Sequence, residues 1–187
     1  DSRVSRGLGD VYKRQFVGPA VAWEITFLEH YQSFGFETGS PEHEGYAAEL
    51  EATQASVKRM REAGVRVLVG GDYGLNITPH GTYARELQYF TDYFGFSPGE
   101  ALQAATKHGG EAFMPDGSLG TLEAGKIADM VIVKGNPLEQ IGVLQDADAI
   151  AAVIKEGQIY TDLLDNQSPH QKNAEQMNQL LEARPCN

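Results

Sequence analysis

Between Ser40 and Gly64 the side chains Tyr46, Leu50, Thr53, Val57 and Met60 recur at spacings of four, three, four and three. That period marks one face of an α-helix. Ser40 offers an N-cap, Pro41 suits the first helical position and Gly64 closes the end. The next six residues, VRVLVG from Val65 to Gly70, predict a buried strand. Upstream, FVGPAVAW from Phe16 to Trp23 is a shorter apolar run broken by Gly18-Pro19, and predicts a strand entering a loop. Glu24 to Gly39 is rich in aromatic residues without a clear period, and predicts a long loop with at most one helical turn. Strand, helix and strand in that order make a βαβ unit, in which the two strands run parallel.

Tyr83, Leu87, Phe90 and Phe94 form a second helical stripe, stopped by Gly95. Ser97-Pro98-Gly99-Glu100 then reads as a capping box opening a helix that reaches about Phe113. The pair Gly109-Gly110 inside it predicts close helix packing rather than a phosphate loop, since no strand precedes it and the Walker pattern is absent. From Gly117 the texture changes to short β runs, SLGTLEAGKIADMVIV and AIAAVIKEGQIY, with hairpin turns expected at Gly125-Lys126 and Glu156-Gly157. The stretch from Asp165 to Asn187 is polar, with a weak helical pattern at Met177, Leu180 and Leu181. The resulting division is residues 1–15, then 16–115 in helices and strands, 116–164 as a small β module, and a polar tail over 165–187.

Composition narrows the function classes. With 187 residues and 41% hydrophobic content, the chain can bury a core. Its formal charge of -11 repels a phosphate backbone and leaves no basic stripe, which speaks against nucleic acid as a partner. No apolar run approaches the roughly 20 residues of a membrane span. The single Cys186 excludes an intrachain disulfide and a thiolate zinc cluster, and fits a reducing, cytoplasmic setting. Ser5 to Gln15, SRGLGDVYKRQ, resembles the translation of a transposon-end adapter used in sequencing libraries, so residues 1–15 are expected to pack against nothing and native sequence to begin near Phe16, within a gene. Without residues 1–15, which hold four basic and two acidic side chains, 11 basic and 24 acidic remain. The acidic balance deepens.

Chemistry concentrates after the VRVLVG strand. Asp72 follows the strand among Gly70, Gly71 and Gly74, and His80 stands in a Pro-His-Gly. Two readings of Asp72 are open: a ligand and proton acceptor, or an ordinary loop aspartate in an Asx-turn. His80 is either a group that polarises substrate beside the site or a loop histidine bonded to nearby backbone. Thr82 reads as a cap of the following helix, and Arg85 and Glu86 as a solvated helix face. His30, His43, His108 and His170 read as exposed.

Taken in order, AGVRVLVGGDYG, PHGTYARELQYF, SPGEALQAATKHGGEAF and LGTLEAGKIADMVIVKGNPLE resemble the C-terminal part of the metal-dependent amidohydrolase superfamily, in its imidazolonepropionase-like and Xaa-Pro dipeptidase-like branch. The resemblance covers Val65 to Tyr160 well and Phe16 to Gly64 more loosely, with Gly120 to Asp129 its most specific piece. It implies an α/β fold: the last strands and helices of a (β/α)8 TIM-like barrel, incomplete here, plus part of a small flanking β module. Asp72 matches the family's aspartate after strand eight, which implies a metal ligand that also exchanges protons with the metal-bound water. The family's His-x-His and its other ligands precede this region, and no His-x-His occurs in the chain.

The resemblance therefore implies a fragment of a hydrolase acting on an amide or cyclic amide C–N bond, with a divalent metal, zinc first, and a small-molecule substrate. The fragment itself is expected to be inactive, and its unpaired strand edges invite self-association. The alternative is a non-catalytic binding or oligomerisation protein that kept the late barrel and the β module. Sequence upstream of Phe16 separates the two, because a His-x-His after the first strand belongs only to the enzyme.

Overall fold

A computed structural model describes residues 15–162. Most of the adapter-like stretch, the tail pattern at Met177, His170 and Cys186 lie outside the described residues. Two short strands, β1 (Phe16–Val17) and β2 (Arg66–Val67), pair in parallel with Phe16 opposite Arg66 and Val17 opposite Val67. The Leu68 amide extends the ladder to the Val17 carbonyl at 2.8 Å. The parallel pairing expected from the βαβ pattern is present, over fewer residues than the apolar runs span.

The crossover between these strands carries two helices. The first, α1 (Ala22–His30), occupies residues expected to be strand and loop. Its periodicity is hidden because both flanks are apolar. Val21, Ala22 and Ile25 enter the main core, while Phe27 packs on Phe34, Phe36 and Tyr46 with ring centroids 5.7, 5.4 and 4.2 Å away. A 3-10 turn at Tyr31–Phe34 and Gly35 at φ +83° then reverse the chain.

Helix α2 (Pro41–Glu62) begins as expected, with the Ser40 hydroxyl accepting from the His43 amide at 3.3 Å. Leu50 and Val57 are buried and Tyr46, Thr53 and Met60 half-buried, so the predicted stripe is the packed face. The far end of α2 is tied by Arg61, whose guanidinium donates to the Phe94 and Gly95 carbonyls at 3.0 Å and lies 3.8 Å from the Phe96 ring centroid.

Helix α3 (Arg85–Tyr93) buries Glu86, Leu87, Tyr89 and Phe90. Leu87, Phe90 and Phe94 of the predicted stripe are in the core, while Tyr83 precedes the helix and is 51% exposed. The capping box forms in full: the Ser97 hydroxyl accepts from the Glu100 amide, and the Glu100 carboxylate from the Ser97 amide at 2.8 Å. From it run α4 (Pro98–Gln103), a π-turn at Ala104–His108 and α5 (Gly109–Phe113). A Cβ on Gly110 would stand 2.4 Å from the Leu119 carbonyl oxygen, and one on Gly120 2.5 Å from that of Thr106. Backbone meets backbone here, which is the close packing the glycine pair implied.

That contact also explains a departure in the β module. The turn at Glu123–Lys126 forms, with Gly125 at φ +87°, but residues 118–124 are not a strand. Leu119 and Gly120 are held against the helix and so are kept out of the sheet. The sheet is antiparallel, in the order β3 (Met130–Val133), β4 (Ile150–Lys155) and β5 (Gln158–Asp162). Glu156 and Gly157, at φ +51° and +77°, make the expected β4–β5 hairpin turn, one that needs positive φ at both positions.

Candidate active site

Asp72 lies five residues past Val67, beyond the C-terminal end of β2, and its carboxylate is exposed. The loop around it is closed by Thr78, a buried residue whose hydroxyl donates to the Asp72 carbonyl at 2.7 Å. The Thr78 carbonyl accepts from the Gly74 amide at 2.9 Å. An Asx-turn at Asp72 would use that same Gly74 amide, two residues on. It is already taken, and the Asp72 carboxylate has no hydrogen-bond partner among the described residues. Thr78 performs the turn-closing task that a bland aspartate would have had.

His80 folds back over this loop. A Cβ on Gly74, which has φ +109°, would stand 2.9 Å from the His80 Nε2. The other ring nitrogen, Nδ1, is 2.8 Å from the Tyr83 hydroxyl, and Tyr83 stacks edge-on against Tyr73 at 4.7 Å. His80 is thus held beside the Asp72 loop by an aromatic side chain rather than by backbone. Thr82 does not cap α3; its hydroxyl turns back to the Pro79 carbonyl at 2.8 Å, and the N-cap position is Ala84.

Of the three glycines around Asp72, Gly70 alone faces open space. The room at Gly71 is filled from within the chain: a Cβ there would be 2.7 Å from Tyr73 Cε2, 3.1 Å from the Ala22 Cβ and 3.2 Å from Glu86 Oε2. Glu86 is the residue the sequence reading misplaced. It is 1% exposed, against the solvated face expected for it. Burial pushes its carboxyl up to about 7, an effect offset in part by the Gly70 backbone amide. The Tyr73 phenol is raised as well, first by its own burial and then by the nearby Glu86 charge. Among the described residues, neither Glu86 Oε1 nor Tyr73 Oη has a hydrogen-bond partner. The signal was present in the spacing, since Glu86 lies three residues before Tyr89 and four before Phe90, on the apolar side of the helix.

Two other expectations change. His108 is half-buried, its Nδ1 3.4 Å from the Val67 carbonyl, so it lies against β2 rather than in solvent. His43 packs on the Tyr31 ring at 4.4 Å, half-buried. His30 is exposed, as expected. Among the described residues no three His, Cys, Asp or Glu side chains converge to hold a metal ion. Asp72 and His80 alone do not make up such a site.

The amidohydrolase family model matches residues 25–160. The chain is 36% identical over 112 residues to ochratoxinase of Aspergillus niger, covering 59% of this chain and 22% of that protein. It is 31% identical over 113 residues to imidazolonepropionase of Symbiobacterium thermophilum, covering 60% of this chain and 27% of that protein. Among solved structures, a putative prolidase from Bifidobacterium longum superposes with a TM-score of 0.67 at 25% identity, over 87% of this chain and 39% of that one. The chain thus spans about a quarter of the length of these curated relatives. With its family segment running through both the Asp72 loop and the β module, the chain belongs to the amidohydrolase family.

Proposed function

We propose that the parent protein hydrolyses the C–N bond of an amide or cyclic amide in a small-molecule substrate, with Asp72 moving the proton. The observation that carries this reading is the Asp72 side chain, exposed in the loop after a parallel strand and without a hydrogen-bond partner among the described residues, while its backbone is held by Thr78. A carboxylate so placed accepts a proton from the attacking water as the C–O bond forms. It returns that proton to the departing nitrogen as the C–N bond breaks. His80 is the candidate for polarising the scissile carbonyl, because its Tyr83 contact leaves Nε2 on the loop side of the ring.

The family is generally metal-dependent, and a divalent ion, zinc first, is the proposed cofactor of the parent. Asp72 offers such an ion one oxygen ligand, short of the three or four protein ligands usual for a zinc site. The 187-residue chain by itself is accordingly expected to bind no metal tightly and to turn over no amide.

Recovering the full reading frame and comparing it with its Asp72→Asn variant tests the proposal. Asparagine keeps the shape and cannot take up a proton, so kcat is expected to fall about 10²–10⁴-fold with an unchanged melting temperature. Turnover within about threefold of the unmodified enzyme, far above that expectation, removes Asp72 from the reaction. A reading frame without further metal ligands, and without activity, favours the non-catalytic binding protein instead.

A further inference from the structure

We propose that Glu86 is a positioning residue for Asp72: its buried carboxyl, set behind Gly71, fixes the backbone on which the Asp72 carboxylate stands. This rests on the reading of Asp72 as the site carboxylate. Asp72 is flanked by Gly71 and Tyr73, and both are bound up with Glu86. Glu86 Oε2 lies 3.2 Å from where a Gly71 Cβ would stand, the Gly70 amide lies close enough to the carboxyl to favour its charged form, and Tyr73 lies within reach of its charge.

The backbone here needs such an anchor. Gly70, Gly71 and Gly74 surround Asp72 with the freest residue type, and β2 contributes only Arg66 and Val67 to regular pairing. A carboxylate that exchanges a proton with substrate must be held to within about 0.5 Å. Thr78, itself buried, pins the Asp72 carbonyl, and Glu86 meets the preceding residues from the core. A buried carboxyl with an unpartnered oxygen is costly to fold, and an apolar side chain of similar size would fill the same space without that cost. Packing therefore does not account for a glutamate at this position, whereas holding the Gly70–Gly71 backbone does.

Amide hydrogen exchange on the full 187-residue chain tests this without turnover. Glu86→Leu is expected to speed exchange at Gly70, Gly71 and Asp72 by about tenfold or more relative to the amides of α3. Glu86→Gln keeps the shape and an acceptor oxygen for the Gly70 amide, and should stay within about threefold of the unmodified chain. Unchanged exchange in Glu86→Leu, or equal loosening of the loop and α3, overturns the proposal.

A second measurement needs no variant to fold. In the unmodified chain the Gly70 and Gly71 amide shifts should titrate with the midpoint of the Glu86 carboxyl carbon, and amide shifts that stay still through that midpoint overturn it equally. The two readings separate cleanly. Normal turnover in Asp72→Asn of the parent removes the proposed reaction and leaves these exchange rates as they are, while failed exchange tests leave the Asp72 result standing.

Discussion

The loop at residues 70–83 and the contact between α5 and residues 118–120 are both rich in glycine, yet they use it in opposite ways. At Gly110 and Gly120 the missing side chains let two backbones touch, with carbonyl oxygens 2.4 and 2.5 Å from where a Cβ would be. Around Asp72 the space is instead taken by side chains from elsewhere, Glu86 behind Gly71 and His80 over Gly74, and a carboxylate is left exposed and unbonded. Gly120, at the head of the stretch that most resembles the family, thus serves packing, while the proposed chemistry belongs to the less regular loop. Close-packed backbone resists substitution for reasons of space, and an open loop keeps a charged group available because nothing nearby neutralises it.

The largest expected effect breaks the two regions apart. Asp72→Asn in the parent should cost about 3–5 kcal/mol of activation barrier and leave stability alone. Loss of stability with unimpaired kcat would make Asp72 a structural residue like Gly110.

Next comes the pH response of Glu86. Its carboxyl is pushed from 4.5 up to about 7 by burial, so the folded chain holds this proton more tightly than the unfolded chain. The stability from that proton is full below about pH 4.5, falls as pH rises and is gone above about pH 7, a change of about 3 kcal/mol. Urea midpoints measured between pH 4.5 and 8 should decline for the unmodified chain and flatten in Glu86→Gln. Parallel declines in both would place the titrating group elsewhere.

Gly110→Ala probes the other region. The added methyl must displace the Leu119 carbonyl, and overpacking of this kind costs about 1–3 kcal/mol. Thermal unfolding of the 187-residue chain reads this loss, and an unchanged midpoint would mean that the helix and the Gly120 loop separate easily. The smallest effect is Ser97→Ala, which removes the hydroxyl half of the capping box for about 1 kcal/mol. A loss well above that would show that α4 depends on its cap more than on packing.

Several elements were legible from local pattern because they are satisfied locally. The α2 stripe, the Ser40 and Ser97 caps, the Glu156-Gly157 turn and the parallel sense of β1 and β2 depend on spacing, on one side chain and one amide, or on chain connection. The family segment was legible too, and with it the place of Asp72 after a strand. What local pattern could not fix were the elements packed on two sides. Helix α1 hid its period because Ile25 and Phe27 serve different clusters. Residues 118–124 looked like a strand until the Gly110 and Thr106 backbones claimed them. Glu86 looked like surface because a carboxylate ordinarily is; its burial depends on Gly71 and Ala22, distant in sequence, meeting it in space. The sequence by itself determined the packed face of α2, the Ser40 and Ser97 caps and the family. Tertiary structure alone decided that Glu86 was shut away from water while the Asp72 side chain was left facing it, because desolvation depends on neighbours the chain brings from far away.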